Sequence, residues 1–155
     1  MSKRMLVGSL LAAASALACG GRAAAPASPS PPSVTEAASA VDGSTLKVTA
    51  PALQLPANGS LATSLTPNLV IANATFRYVG DPALARTLQY RFVVELESGA
   101  AVMNALTGTG TGLTGYRVPA GLLQPQKAYR WRVRAELGGS IGPWSGYWTF
   151  TTPKA

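Results

Sequence analysis

Histidine is absent from these 155 residues, and cysteine occurs once, at position 19. Without an imidazole there is no Ser/His/Asp or Cys/His relay and no histidine metal site. Without a second cysteine no disulfide can form within the chain, so the folded part must stand on its apolar core. Carboxylates are scarce as well: of six, only Asp81, Glu95, Glu97 and Glu136 lie beyond residue 45. Charged residues of both signs make up 12% of the chain. After residue 45 no long 3.6-residue apolar stripe appears, which argues against a helical fold.

What is present begins with an export signal. Lys3 and Arg4 precede an uncharged, mostly apolar run from Met5 to Ala18 that closes on small residues. A positive start, a short hydrophobic middle and a small-residue exit make a secretory leader. The run falls short of the roughly 20 residues of a membrane-spanning helix, so residues 1–18 read as a processed signal peptide. Its exit, Ala16-Leu17-Ala18-Cys19, resembles the bacterial lipobox. That resemblance implies a diacylglycerol on the Cys19 sulfur and a mature chain that starts there. Ala16 and Ala18 also fit an ordinary signal peptidase, which would leave one free thiol in an exported chain. Lipidation accounts for that leftover cysteine, and several acyl chains on one residue anchor stably.

Residues 19–45 then run through Ala, Pro and Ser with almost no large apolar side chain. Such a segment cannot bury enough surface to offset its ordering entropy. Its prolines favour an extended spacer of roughly 3 Å per residue, long enough to hold a domain well off a bilayer. Without Lys3 and Arg4 the chain keeps eleven basic and six acidic residues, a net charge of +5. The alternating Arg130, Arg132 and Arg134 read as a solvated strand face. An exported address argues against a nucleic-acid partner.

Residues 46–153 carry β texture: short β-branched or aromatic runs separated by Pro, Gly and Asn. In "KAYRWRVRAEL" (127–137) a period of two turns Tyr129, Trp131, Val133 and Ala135 to one side and the arginines to the other. In "LQYRFVVELE" (88–97), Leu88, Tyr90, Phe92, Val94 and Leu96 point inward, with Arg91, Glu95 and Glu97 outward. Were the two strands antiparallel neighbours, the glutamates of one could face the arginines of the other, each pair giving about 0.2–1 kcal/mol. Five further runs, at 51–56, 68–74, 100–106, 115–119 and 146–152, bring the expectation to a single all-β sandwich of seven strands.

The stretch "LLQPQKAYRWRVRAELGGSIGPWS" resembles the second half of a fibronectin type III domain, an immunoglobulin-like sandwich. The residues that carry the likeness are Leu123, Pro125, Tyr129, Trp131, Val133, Ala135, Gly142 and Ser145. The resemblance implies a tyrosine corner, with the Tyr129 hydroxyl returning to the backbone just upstream. In the first half the family's tryptophan on the second strand is replaced by Leu69 and Ile71, and Trp131 is expected to fill that volume. Such modules are appended to exported bacterial proteins.

Sites of chemistry are few. Glu95 and Glu97 lie about 7 Å apart on one strand face, but arginines beside them favour two ionised carboxylates and no acid–base pair. "TGTGTGLTG" (107–115) lacks the lysine and the helix of a phosphate-binding loop and reads as a flexible connection. The aromatic cluster of "IGPWSGYW" offers two arrangements. In one, Trp144 folds over the arginine row, similar to the tryptophan–arginine stacks of cytokine-receptor sandwich domains. In the other, Trp144, Tyr147 and Tyr116 form an open platform for a sugar or a protein, with Arg130, Arg132 and Arg134 beside it. The sequence thus leads to a non-catalytic, lipid-anchored cell-envelope protein, placed at the outer membrane, with no cofactor and no metal. It presents a sandwich for adhesion, spacing or a protein partner. The alternative is a carbohydrate-binding module built on Trp144 and Tyr147.

Overall fold

The computed structural model describes residues 43–77 and 82–155. The signal peptide, Cys19 and nearly all of the 19–45 linker lie outside the described residues, as does Asp81. Strands β1 (Ala52–Leu55), β3 (Asn68–Ala72) and β6 (Leu113–Arg117) form one antiparallel sheet. The second sheet runs β2 (Ser60–Leu61), β9 (Trp148–Thr151), β7 (Ala128–Leu137), β4 (Gln89–Leu96) and β5 (Ala101–Gly108), with β8 (Ser140–Ile141) paired to β7. A single helical turn, α1 (Pro82–Ala85), precedes β4. The architecture is an all-β sandwich. All seven expected strands are present, and the two-residue β2 and β8 are additions.

Alternation built this arrangement. Along β7 every second residue is buried, and Trp131, Val133 and Ala135 have no measurable exposure. Its neighbour β4 buries Tyr90, Phe92 and Val94 on the same side. The facing sheet contributes Leu53, Leu69, Ile71 and Thr114. Burying one such Leu, Ile, Val or Phe side chain contributes roughly 1.5–3 kcal/mol, so the two alternating rows supply most of the driving force. Trp131 fills the middle: its ring stacks on Phe92 at 6.4 Å and meets Trp148 edge-on at 6.5 Å. The volume left open by Leu69 and Ile71 is taken up from the opposite layer.

The core also gathers the start of the domain. Leu46 and Val48 are buried, and the backbone N–H groups of Thr45 and Leu46 both donate to the Ile141 carbonyl. Gly142 makes this approach feasible, since a Cβ there would meet Val48 Cγ2 at 2.8 Å. Tyr90 ends in the core with its hydroxyl oxygen accepting from the Ala74 N–H at 2.9 Å. Burial pushes its pKa up, only partly offset by hydrogen bonds to Ala74 and Thr109.

Two features depart from expectation. The 107–115 segment is not a loose connection: β5 extends to Gly108 and β6 starts at Leu113, leaving four residues between them. Those four are tied down. Asn73 Nδ2 donates to the Gly110 carbonyl at 2.8 Å, the Asn73 N–H to the Gly112 carbonyl, and the Gly110 N–H to Thr114 Oγ1. Gly110 turns so tightly that a Cβ would sit 2.3 Å from the Leu113 carbonyl oxygen. Second, Val93 breaks the alternation of β4. It lies on the outer face opposite Arg132 and Asn104, yet is only 8% exposed.

The tyrosine corner is formed: the Gln124 N–H donates to Tyr129 Oη at 2.8 Å. Replacing Tyr129 by Phe keeps the buried ring and strands a partly buried donor. The expected cost is about 1–2 kcal/mol, read from urea unfolding with an unchanged m value.

Candidate functional site

The outer face of the larger sheet is set by the register of β4 and β7. Glu95 stands opposite Arg130, Val93 opposite Arg132, and Arg91 opposite Arg134. The first of these pairs closes as an ion pair, Arg130 to Glu95 Oε2 at 2.7 Å. Arg91 and Arg134, like charges directly across, would repel. Glu136 resolves the conflict. It accepts from Arg91 Nε and Nη2 at 2.6 and 3.0 Å and from Arg134 Nε at 2.8 Å, so one carboxylate serves two guanidinium groups.

The segment after β8 lies over this row. The Ser145 N–H donates to the Val133 carbonyl at 2.8 Å, and the Val133 N–H donates back to Ser145 Oγ at 2.9 Å. With the Gly142 N–H on the Ala135 carbonyl, residues 142–145 track β7 and direct Trp144 outward. The result is an interleaved stack. Arg130 lies 4.4 Å from the Tyr147 ring centre, and Arg132 lies 4.7 Å from the same ring. Arg132 is also 4.3 Å from the Trp144 ring, and Arg134 is 4.6 Å from it. Each ring is held between two guanidinium planes.

Strand spacing explains the fit. Residues two apart on a strand are separated by about 6.6 Å, close to twice the 3.5 Å of a van der Waals contact, so one ring slots between successive arginines. A cation on a ring face contributes about 0.5–1 kcal/mol where water has access, and the stack makes four such contacts. Arg132 at its centre has rings on both sides, no carboxylate in ion-pair range among the described residues, and a buried Nε with no hydrogen-bond partner.

The carboxylates here are held ionised. Burial raises the Glu95 pKa, but the hydrogen bonds from Arg130 and from Tyr147 (Oη to Oε2, 3.1 Å) and the arginine charges carry it below the ordinary value. The hydrogen bond from Arg91 does most to lower Glu136, helped by Arg134 and opposed by burial. A general acid needs a raised pKa; neither group has one. No cluster of three or more His, Cys, Asp or Glu side chains able to hold a metal forms among the described residues.

The structure brings together five of the six candidate binding residues: Trp144, Tyr147, Arg130, Arg132 and Arg134. Tyr116 is not with them. It sits on β6 of the other sheet, its ring stacked on Phe92 at 5.7 Å against the core, because it shares the inward face with Leu69. A three-aromatic platform therefore does not form. Tyr147 is 38% exposed, but the faces of both remaining rings are occupied by arginine, and a sugar stacks on an open ring face. The contribution of Glu136 was missed in the sequence, although an acid two residues beyond Arg134 on the same face was a usable signal.

Two outcomes test this geometry. Trp144→Ala removes two guanidinium contacts and is expected to lower stability by about 1–2 kcal/mol in urea; an unchanged midpoint counts against the stack. Glu136, with its folded pKa depressed, stabilises fully above its unfolded pKa of about 4.3, and this stability is lost as pH falls through the folded value. The stability gap between wild type and Glu136→Gln should accordingly be wide at neutral pH and shrink below pH ~4. A gap independent of pH would contradict the assignment.

No family model matches the chain, and no curated protein matches it. Among solved structures it is similar to CopC from Methylosinus trichosporium OB3b, with 14% identity and a TM-score of 0.42, over 67% of this chain and 94% of that one. It is also similar to the FN1–FN3 domains of chicken CNTN1, with 13% identity and a TM-score of 0.44 over 68% of this chain. The match spans 34% of the CNTN1 fragment. The described residues themselves form two sheets, one of three strands and one of six, packed as a β-sandwich.

Proposed function

We propose that the chain is a non-catalytic, lipid-anchored protein of the bacterial cell envelope that presents its sandwich to a protein partner. The anchor rests on Ala16-Leu17-Ala18-Cys19, and the Ala/Pro/Ser-rich linker provides the standoff. The observation that carries the binding reading is the interleaved stack. It fixes a row of guanidinium groups in place, leaves Arg132 without an ion-paired carboxylate among the described residues, and occupies the ring faces that a carbohydrate platform would need. A rigid positive face suits an acidic surface on a partner and loses little side-chain entropy on docking.

Mass spectrometry of the mature N-terminus, together with fractionation, tests the anchor. The chain should begin at Cys19 carrying acyl chains, and Cys19→Ala should move it from the membrane to the soluble fraction. An unmodified N-terminus elsewhere would remove the anchor. Chromatography on immobilised polysaccharides tests the binding class: no retention is expected, and retention that disappears with Tyr147→Ala would establish a carbohydrate module instead.

A further inference from the structure

The sheets end, among the described residues, on β1 and β6 in one layer and on β2 and β5 in the other. Natural edge strands are kept short, charged, bulged or broken by proline, because a bare edge pairs with other chains. Three of these edges follow the rule. β1 has four residues and a register break, β2 has two residues, and β6 ends on Arg117. β5 differs: its eight residues, AVMNALTG, hold neither a charge nor a proline. Its one irregularity lies at its start, where Val94 and Glu95 face Met103 and Ala101. From Met103 to Gly108 the edge is regular.

Hydrogen-bond phase identifies the groups that face outward. The Leu96 N–H donates to the Ala100 carbonyl on the β5 side, whereas the Glu97 N–H turns to Ala128 on the β7 side. Alternation along β4 makes Val94–Met103, Phe92–Ala105 and Tyr90–Thr107 the hydrogen-bonded pairs. The N–H and C=O groups of Asn104, Leu106 and Gly108 therefore point off the sheet. Leu106 is 40% exposed. Arg91, which faces Leu106 across the β4–β5 pair, is held by Glu136 and donates to Asn104 Oδ1 at 2.9 Å, and β5 itself carries no charged side chain.

We propose that the β5 edge is a self-association surface, pairing antiparallel with the β5 edge of a second copy about a two-fold axis at Leu106. This register sets Leu106 against Leu106 and Asn104 against Gly108, each a hydrogen-bonded pair. A shift of two residues, the smallest that keeps these outward groups paired, would place Leu106 against Asn104 and leave the apolar side chain without its match. Charge selects a copy as the occupant. The chain is net positive, so an acidic partner is drawn to the arginine row. Residues 98–116 carry no charge, and two like-charged molecules meet there with least repulsion.

Oxidative cross-linking of the full chain in a Cys19→Ser background tests this independently of the anchor. In the proposed register Leu106→Cys brings two Cα atoms to about 5.5 Å, inside the range of a disulfide. Leu61→Cys is the control, because Leu61 is 66% exposed and random collision would favour it. The expected result is a disulfide dimer several-fold more abundant for Leu106→Cys, and a lower sedimentation-average mass for a folded Leu106→Lys chain. Equal or greater linking at position 61, linkage of the thiol introduced by Leu106→Cys to a different protein, or an unchanged mass for Leu106→Lys would each overturn the proposal.

Discussion

The antiparallel pairing of β4 with β7 fixes both faces of the larger sheet at once. One register places Tyr90, Phe92 and Val94 beside Ala135, Val133 and Trp131 in the core. The same register places Glu95, Val93 and Arg91 beside Arg130, Arg132 and Arg134 outside. A slip by one residue would turn the apolar set to water and the arginines into the core, so the core enforces the surface. The order of the arginine row is thereby inherited from the packing of Trp131 and its neighbours.

That inheritance has a cost, and the chain meets it locally. Three arginines at strand spacing, with Arg91 across from Arg134, concentrate like charge on one face. Glu95 neutralises one end and Glu136 the other, while aromatic rings separate the guanidinium planes between them. Exposed ion pairs contribute about 0–1 kcal/mol each. Here the rings reduce access of water and limit side-chain motion, so the carboxylates and the stack support each other. The two-way hydrogen bond between Ser145 and Val133 keeps Trp144 in register with the arginines.

Much of this was legible in the sequence, for definite reasons. Period-two patterning located β4 and β7 within a residue or two, since burial on one face leaves an unambiguous trace. The Arg130–Glu95 pair followed from antiparallel neighbours with opposite outward charges. The two-residue strands β2 and β8 left no such trace, because they are held by backbone hydrogen bonds to β9 and β7. Tyr116 was misplaced for a related reason: the face of a short strand depends on its partner, and only the pairing with Leu69 shows that it points inward. The glycine-rich stretch at 107–115 was read from composition, whereas its order comes from Asn73, 37 residues from Gly110 in sequence. That Trp144 and Tyr147 intercalate between arginines was one of two open arrangements until the path of residues 142–147 was known.

The interleaved stack is where core and surface meet, and a double-mutant cycle on Arg132 and Trp144 probes it most directly. Urea unfolding of the wild type, Arg132→Ala, Trp144→Ala and the double variant isolates the pairwise coupling. A guanidinium held against an indole face should give a favourable coupling of about 0.5–1 kcal/mol, or more if water is excluded. Losses in the two single variants that simply add, with no coupling beyond error, would contradict a stack that holds these side chains together.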